Sequence, residues 1–146
     1  MGYQARAVAS RNVTTVLVAT DSERVWDLVD GALASDDTSV YRVRAGRDVA
    51  VACRRVKPDV VVLDLQIGNS GGVATSLWLR QEQEMDRLDE FPILLLVDRE
   101  ADVFTAQISR ADGWLVKPID SLRLKRSIRA ALSGDAVREG EVARQA

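Results

Sequence analysis

The sequence predicts an α/β fold, a parallel sheet covered by helices on both faces, on three observations. Four apolar clusters recur along the chain, Val16-Leu17-Val18-Ala19, Val60-Val61-Val62-Leu63, Ile93 to Val97 and Leu115-Val116, with helix-like stretches between the first three and after the third. The clusters are continuously apolar instead of alternating, which marks strands buried on both faces. The chain has 146 residues, 47% hydrophobic and 29% charged, enough for one compact domain and too few for two. The predicted organisation is a domain over residues 13–133 between tails 1–12 and 134–146, which hold few large apolar groups and are expected to be mobile.

The first strand, at Val16 to Ala19, leads into a helix that Asp21 or Ser22 can cap and that carries Val25, Leu28, Val29 and Leu33 on one face. Tyr41, Val43 and Ala45 alternate with Arg42 and Arg44, the pattern of an edge strand with one partly wet face. The second helix runs from about Asp48 to Val56 with Val49, Ala52, Cys53 and Val56 inward. Pro58 stops it, because the residue before a proline avoids helical geometry. The third follows Gly71-Gly72 with Val73 and Leu77 and continues into the acidic stretch Gln81 to Glu90, read as a solvated helix end. The fourth, about Ala101 to Ser109, offers Val103, Phe104 and Ile108 as inward candidates. In the fifth, Asp120 or Ser121 is the cap, Leu124, Ile128, Ala131 and Leu132 recur at helical spacing, and Gly134 supplies the stop.

Composition removes several functions. Twenty Lys plus Arg against 22 Asp plus Glu leave a net charge of -2, so no basic excess draws the molecule to nucleic acid or anionic lipid, and direct nucleic-acid binding is not expected. With no His, the chain cannot supply a His general base, a Ser-His-Asp triad, a His metal ligand or a phospho-His relay. The single cysteine, Cys53, forms no internal disulfide and no multi-Cys metal site, and reads as a reduced, structural thiol. Apolar runs no longer than Ile93 to Val97 fall far below the roughly 18 to 20 residues of a membrane span. The opening MGYQARAVASRN lacks the apolar core of a signal peptide, so a cytoplasmic location without membrane contact is expected.

Ligands of parallel α/β sheets gather beyond the carboxyl ends of the strands. Thr20 and Asp21 follow the first strand here, Asp64 the third, Asp98 the fourth and Lys117 the last. Carboxylates hold Mg2+ through oxygen and a lysine ammonium neutralises a transferring phosphoryl group, so acids and a lysine on one rim point to phosphoryl chemistry. Asp64, fixed behind three valines and a leucine, is the best nucleophile candidate and would form an acyl phosphate. Taken singly, an Asp ending a strand caps the next helix and a Lys faces water; their recurrence at three strand ends favours a site. There is no Gly-rich Walker loop and no G-x-G-x-x-G after a strand. Gln66 stands two positions past Asp64, which argues against an Asp-x-Asp phosphohydrolase.

The segments PDVVVLDLQIGNSGG, Pro58 to Gly72, and GWLVKPID, Gly113 to Asp120, in this order and spacing, resemble the receiver domain of bacterial two-component response regulators. The resemblance covers about Val13 to Ser133. It implies a doubly wound, flavodoxin-like sheet of five parallel strands in the order 2-1-3-4-5, flanked by five helices. It also implies Asp64 as phosphoacceptor, Mg2+ held by Asp21, Asp64 and the backbone carbonyl of Gln66, Lys117 paired with the phosphoryl group, and a cis Lys117-Pro118 peptide.

Several residues depart from the family pattern. Thr20 stands where the family carries the first of two acids, so weakened Mg2+ affinity is expected. Val97 replaces a Ser or Thr and cannot bond a phosphoryl oxygen. Gly68 replaces a common proline. Asp98, where the family prefers a small residue, either repels the anionic donor or replaces the lost metal-binding charge. Trp114 occupies the family's aromatic switch position, or simply covers core. Arg123, Lys125, Arg126 and Arg129 line the exposed side of the last helix, as a solvated face or as a surface for an acidic partner.

Two functions follow, neither an enzyme beyond assisting its own aspartyl phosphorylation and dephosphorylation. In the first, a stand-alone receiver is phosphorylated on Asp64 by a partner histidine kinase or phosphotransfer protein. It signals to an unknown downstream protein through the face made by the fourth helix, fifth strand and fifth helix. In the second, a degenerate receiver works as a phosphorylation-independent interaction module. Thr20 and Val97 favour the second; Asp64, Asp21 and Lys117 favour the first. A small phosphoryl-transfer enzyme of similar topology would need a general base or second catalytic acid near Asp64, which the sequence does not offer.

Overall fold

In the computed structural model, which describes residues 13–68 and 71–140, five parallel strands lie in the order β2-β1-β3-β4-β5. They are β1 (Thr14–Ala19), β2 (Thr38–Val43), β3 (Val60–Asp64), β4 (Ile93–Val97) and β5 (Gly113–Val116). Helices α1 (Glu23–Leu33), α2 (Val49–Val56), α3 (Gly71–Glu84), α4 (Val103–Ile108) and α5 (Ser121–Leu132) alternate with them. Class, strand order and helix number are those the sequence predicts.

Successive strand residues point to opposite faces of a sheet, so each strand feeds two cores. Leu17, Ala19, Val61, Leu63, Leu95 and Val97 pack with Val49, Cys53, Leu79 and Val103 on the side of α2, α3 and α4. Val16, Val18, Val60, Val62, Leu94 and Leu96 pack with Val29, Leu124 and Ile128 on the side of α1 and α5. Every residue of β3 and β4 is buried, which is why these stretches carry no polar alternation. Cys53 lies inside the first core, where burial pushes its thiol up to about 12, as befits a packing residue.

Helix ends follow local chemistry. The Ser22 hydroxyl accepts from the Val25 N–H at 3.2 Å and starts α1, and the Asp120 carboxylate accepts from the Arg123 N–H at 2.8 Å and starts α5. α2 is entered through a tight turn at Gly46–Asp48 and ends at Lys57, left-handed with φ 51°, just before Pro58. Gly134, at φ 87°, turns the chain out of α5.

Several expectations about faces are corrected. β2 runs from Thr38 to Val43, leaving Ala45 outside it and Tyr41 exposed. Arg42 is instead tucked in, its guanidinium over the Trp26 ring and bonded to Glu23. Leu77 is exposed, because α3 presents Leu79 and the small residues Gly72, Thr75 and Ser76 to the sheet, and the small ones let it sit close. Phe104 and Ile108 are 73% and 57% exposed: α4 is so short that Val103 and Ala106 complete its inner face. Leu132, in the last turn of α5, is exposed as well.

The acidic stretch is not wholly solvated, since Glu82 is buried between Arg54 and Arg87 and Gln83 is buried beside it. Nor does the C-terminal tail begin at residue 134, because residues 136–140 lie along β5. Residues 1–12 and 141–146, the rest of the expected tails, lie outside the described residues. Among the described residues, no helix is long and apolar enough to cross a membrane.

The seating of α3 on the end of β3 fixes the rim at the carboxyl ends of the strands, and Gly72 makes it possible. A Cβ at this position would lie 2.7 Å from the Asp64 carbonyl oxygen and 2.9 Å from the Leu65 Cα. Gly72→Ala is therefore expected to destabilise the fold by about 1–3 kcal/mol in urea titration. Gly31→Ala, within α1 and with no atom within 4 Å of the added methyl, should be neutral or stabilise by up to about 1 kcal/mol.

Candidate functional site

The strands deliver their following residues to one rim, because ladder bonds continue past their ends. The Thr20 N–H donates to the Val43 carbonyl at 2.9 Å, Leu65 to Leu96 at 2.9 Å and Lys117 to Val97 at 2.8 Å. Asp64 closes β3 and is 2% exposed. The Lys117 ammonium reaches its Oδ1 at 2.7 Å, and the Gln66 N–H donates to the same oxygen at 3.2 Å. Its Oδ2 accepts from the fully buried Thr20 hydroxyl at 2.7 Å. Thr20 is itself oriented by the Ser22 N–H, which donates to its Oγ1 at 3.1 Å. Both oxygens of the carboxylate are thus engaged.

Lys117 also donates to Asp98 Oδ1 at 2.8 Å, so one ammonium is shared between two carboxylates. Burial alone would lower the Lys117 pKa, but the bonds to Asp64 and Asp98 outweigh it and hold the ammonium above the usual lysine range. At Asp98, partial burial pushes the carboxyl up, while Lys117 and the Gln66 side chain outweigh it and hold the group below the usual carboxylate range. Asp21 is exposed and anchored differently, accepting from the Gly68 N–H at 3.0 Å on its Oδ2. That bond gives the glycine at position 68 a role, since a proline has no N–H to donate.

Of the residues singled out in the sequence, Thr20, Asp64, Asp98 and Lys117 form one hydrogen-bonded network, with Asp21 and Gln66 on its border. Val97 is fully buried in the core under α2, α3 and α4. Trp114 is 3% exposed and joins the same core, its indole N–H without a partner among the described residues. The Lys117-Pro118 peptide is cis. The sequence could not tell that Asp98 shares Lys117 or that Thr20 donates to Asp64, because both contacts depend on side-chain direction across neighbouring strands. Arg123 also departs from the expected exposed basic face, being bonded to Glu139 and to the Val116 and Pro118 carbonyls.

The oxygen donors that the receiver resemblance assigns to Mg2+ would suit a hard cation by type. Asp21, Asp64 and the Gln66 carbonyl offer oxygen only, and Mg2+ is commonly held by one or two carboxylates with water completing the shell. Among the described residues, no cluster of three or more His, Cys, Asp or Glu side chains could hold a metal ion.

Comparison with known proteins finds a match to the response regulator receiver domain over residues 16–129. The chain is 26% identical over 121 residues to protein PilH of Pseudomonas aeruginosa, covering 82% of this chain and 98% of PilH. It is 28% identical over 120 residues to the transcriptional regulatory protein AfsQ1 of Streptomyces coelicolor, covering 81% of this chain but only about half, 51%, of AfsQ1. The chemotaxis response regulator CheY4 of Vibrio cholerae shares the fold with a TM-score of 0.71 at 21% identity, over 82% of this chain and 98% of that one. A receiver domain of a histidine kinase from Syntrophus aciditrophicus does so at 0.72 and 22% identity, over 90% and 99%.

Thr20 supplies the sole side-chain donor to Asp64 Oδ2 among the described residues, so its loss should leave a buried anionic oxygen unsatisfied. Thr20→Val is expected to cost about 1.5–3 kcal/mol of stability, read from urea or thermal unfolding, whereas Thr20→Ser should retain most of it. Equal stability of the two variants would show that the hydroxyl does not hold the carboxylate.

Proposed function

The chain belongs to the family of response regulator receiver domains, and on that premise we propose that it is a stand-alone receiver. It accepts a phosphoryl group on Asp64 from a partner histidine kinase or phosphotransfer protein and signals in the cytoplasm by protein contact. Receiver domains are signalling modules that interact with such partners and bind Mg2+ at their acidic site; they are not classical enzymes. The observation that carries the reading is the 2%-exposed Asp64 at the end of β3, with the Lys117 ammonium 2.7 Å from its Oδ1.

The chemistry follows from those positions. A carboxylate oxygen of Asp64 attacks phosphorus, the bond from phosphorus to the donor nitrogen breaks, and the donor imidazole leaves with a proton. Lys117 neutralises charge on the phosphoryl oxygens. Asp21, Asp64 and the Gln66 carbonyl would hold Mg2+, which when bound supplies further positive charge there. To react, Asp64 has to give up the Thr20 hydroxyl or share Lys117. A cleft of about 430 Å3 beside Lys117, walled by Val25, Leu28, Pro118 and Ile119 and edged by Arg24, offers the donor protein a mostly apolar approach.

The shared lysine supports a second reading. Asp98 already holds the ammonium that a phosphoryl group would claim, and Val97 brings no hydroxyl to the site. A receiver so closed on itself works as a phosphorylation-independent interaction module.

Incubation with Mg2+ and acetyl phosphate, followed by intact-mass measurement, separates the two. One phosphoryl group is expected on the parent and on Asp98→Asn, and none on Asp64→Asn. An adduct that survives in Asp64→Asn excludes Asp64 as nucleophile, and a parent that stays unmodified while Asp98→Asn is phosphorylated supports the second reading. Mg2+ binding is proposed to be weakened by the missing carboxylate at position 20. Calorimetric titration of Thr20→Asp should show affinity raised roughly tenfold over the parent, and an unchanged value would mean that another group already completes the site.

A further inference from the structure

Beyond the phosphoryl site, the outer edge of β5 is occupied by the chain itself. After Gly134 the backbone turns back, and Ala136 to Gly140 run alongside the strand, with Arg138 opposite Trp114 in parallel register. The Trp114 N–H donates to the Val137 carbonyl at 2.9 Å, and the Glu139 N–H donates to the Trp114 carbonyl at 3.1 Å. One turn of ladder is therefore complete. The next outward amide, Val116, is satisfied by a side chain, donating to Glu139 Oε1 at 2.9 Å.

The edge is shaped for such a segment. Gly113 leaves room that a Cβ would fill, since it would collide with the Val137 carbonyl oxygen and the Ala136 methyl. Arg123 waits at the start of α5, held by the Val116 carbonyl at 2.9 Å and the Pro118 carbonyl at 2.7 Å, and clamps both oxygens of the Glu139 carboxylate. Partial burial raises the Glu139 pKa, but Arg123 and the Val116 N–H outweigh it, so the carboxyl sits below its usual range. The Arg138 guanidinium covers the Trp114 ring at 5.7 Å and donates to the Asp112 carbonyl at 3.1 Å. Against this prepared surface the segment brings little apolar area, Ala136 and Val137 being only half-buried and Arg138 exposed. Recognition is strong in polar contacts and weak in burial, a balance that permits exchange.

We propose that the β5 edge is a strand-addition docking site held closed by residues 136–140 of the same chain, and that its external ligand is an extended peptide of a partner protein carrying a glutamate to meet Arg123. Unpaired edges invite added strands, and the latch keeps this one from pairing indiscriminately. The site is independent of whether Asp64 is phosphorylated.

The test uses the full chain. In Glu139→Ala, hydrogen exchange at the Trp114 and Val116 amides is expected to accelerate at least tenfold, while the amides of β4 remain as slow as in the parent. A fluorescent peptide of sequence DAVREGE should then bind Glu139→Ala at least tenfold more tightly than the parent by anisotropy. The same peptide with its fifth residue, Glu, replaced by Ala should lose that advantage. Unchanged exchange at Trp114 and Val116 would overturn the latch. Accelerated exchange without peptide binding would reduce the segment to a structural cap and overturn the docking site. Equal binding of the two peptides would overturn recognition through Arg123.

Discussion

A carboxylate that is 2% exposed must be neutralised where it stands, and Lys117 reaches Asp64 for that purpose from a strand two places away in the sheet. The ion pair dictates much of the surrounding architecture. It requires β3, β4 and β5 to end at one level, which their parallel register provides, and it requires the Lys117 stem to pass the end of β4. A buried pair of this kind is poor evidence of added stability, since desolvation offsets most of its attraction, whereas loss of either partner leaves an uncompensated charge. Its value lies in specification: a strand shifted by one residue would turn Asp64 into the opposite core.

The other residues of the rim are readable as responses to that pair. Two carboxylates, those of Asp64 and Asp98, share one ammonium, and a third, Asp21, lies at the border of the network. A fourth acid at position 20 would deepen the repulsion and make the site depend on a cation. Thr20 instead donates a hydrogen bond to Asp64 and accepts one from the Ser22 amide, so the network closes with protein groups alone. Asp98 then satisfies Lys117 on its other side, and Gly68 steadies Asp21 through a backbone N–H that a proline would lack. Three separate departures from the family pattern act in one physical direction, toward a site held together by its own hydrogen bonds.

The sheet was legible because its central strands are buried on both faces and their residues cannot disguise it, and the two motifs around Asp64 and Lys117 located the rim. Faces of the short helices were not. Periodicity assigns Phe104 and Ile108 to a hydrophobic side of α4, but six residues cannot turn a whole stripe inward once Val103 and Ala106 fill the contact. Leu77 misled for the opposite reason: α3 approaches the sheet through Gly72, Thr75 and Ser76, small residues that a search for large apolar groups passes over. The segment 136–140 escaped because its docking rests on backbone bonds and one glutamate, and neither leaves a pattern of hydrophobicity.

β5 borders both the charged rim and the returning C-terminal segment. In four residues it places Gly113 under the returning chain and Trp114 with its ring in the α2–α4 core and its backbone bonded to residues 137 and 139, then Leu115 in the opposite core. The next residue after the strand is Lys117, whose ammonium holds both acids of the rim. The same short strand thus carries the charge at one end and the latch along its edge, and Arg123 ties the two by gripping the Val116 and Pro118 carbonyls on either side of Lys117 while it clamps Glu139. Interior strands buried on both faces have little room to move, whereas an edge strand covered by a lightly packed segment has more.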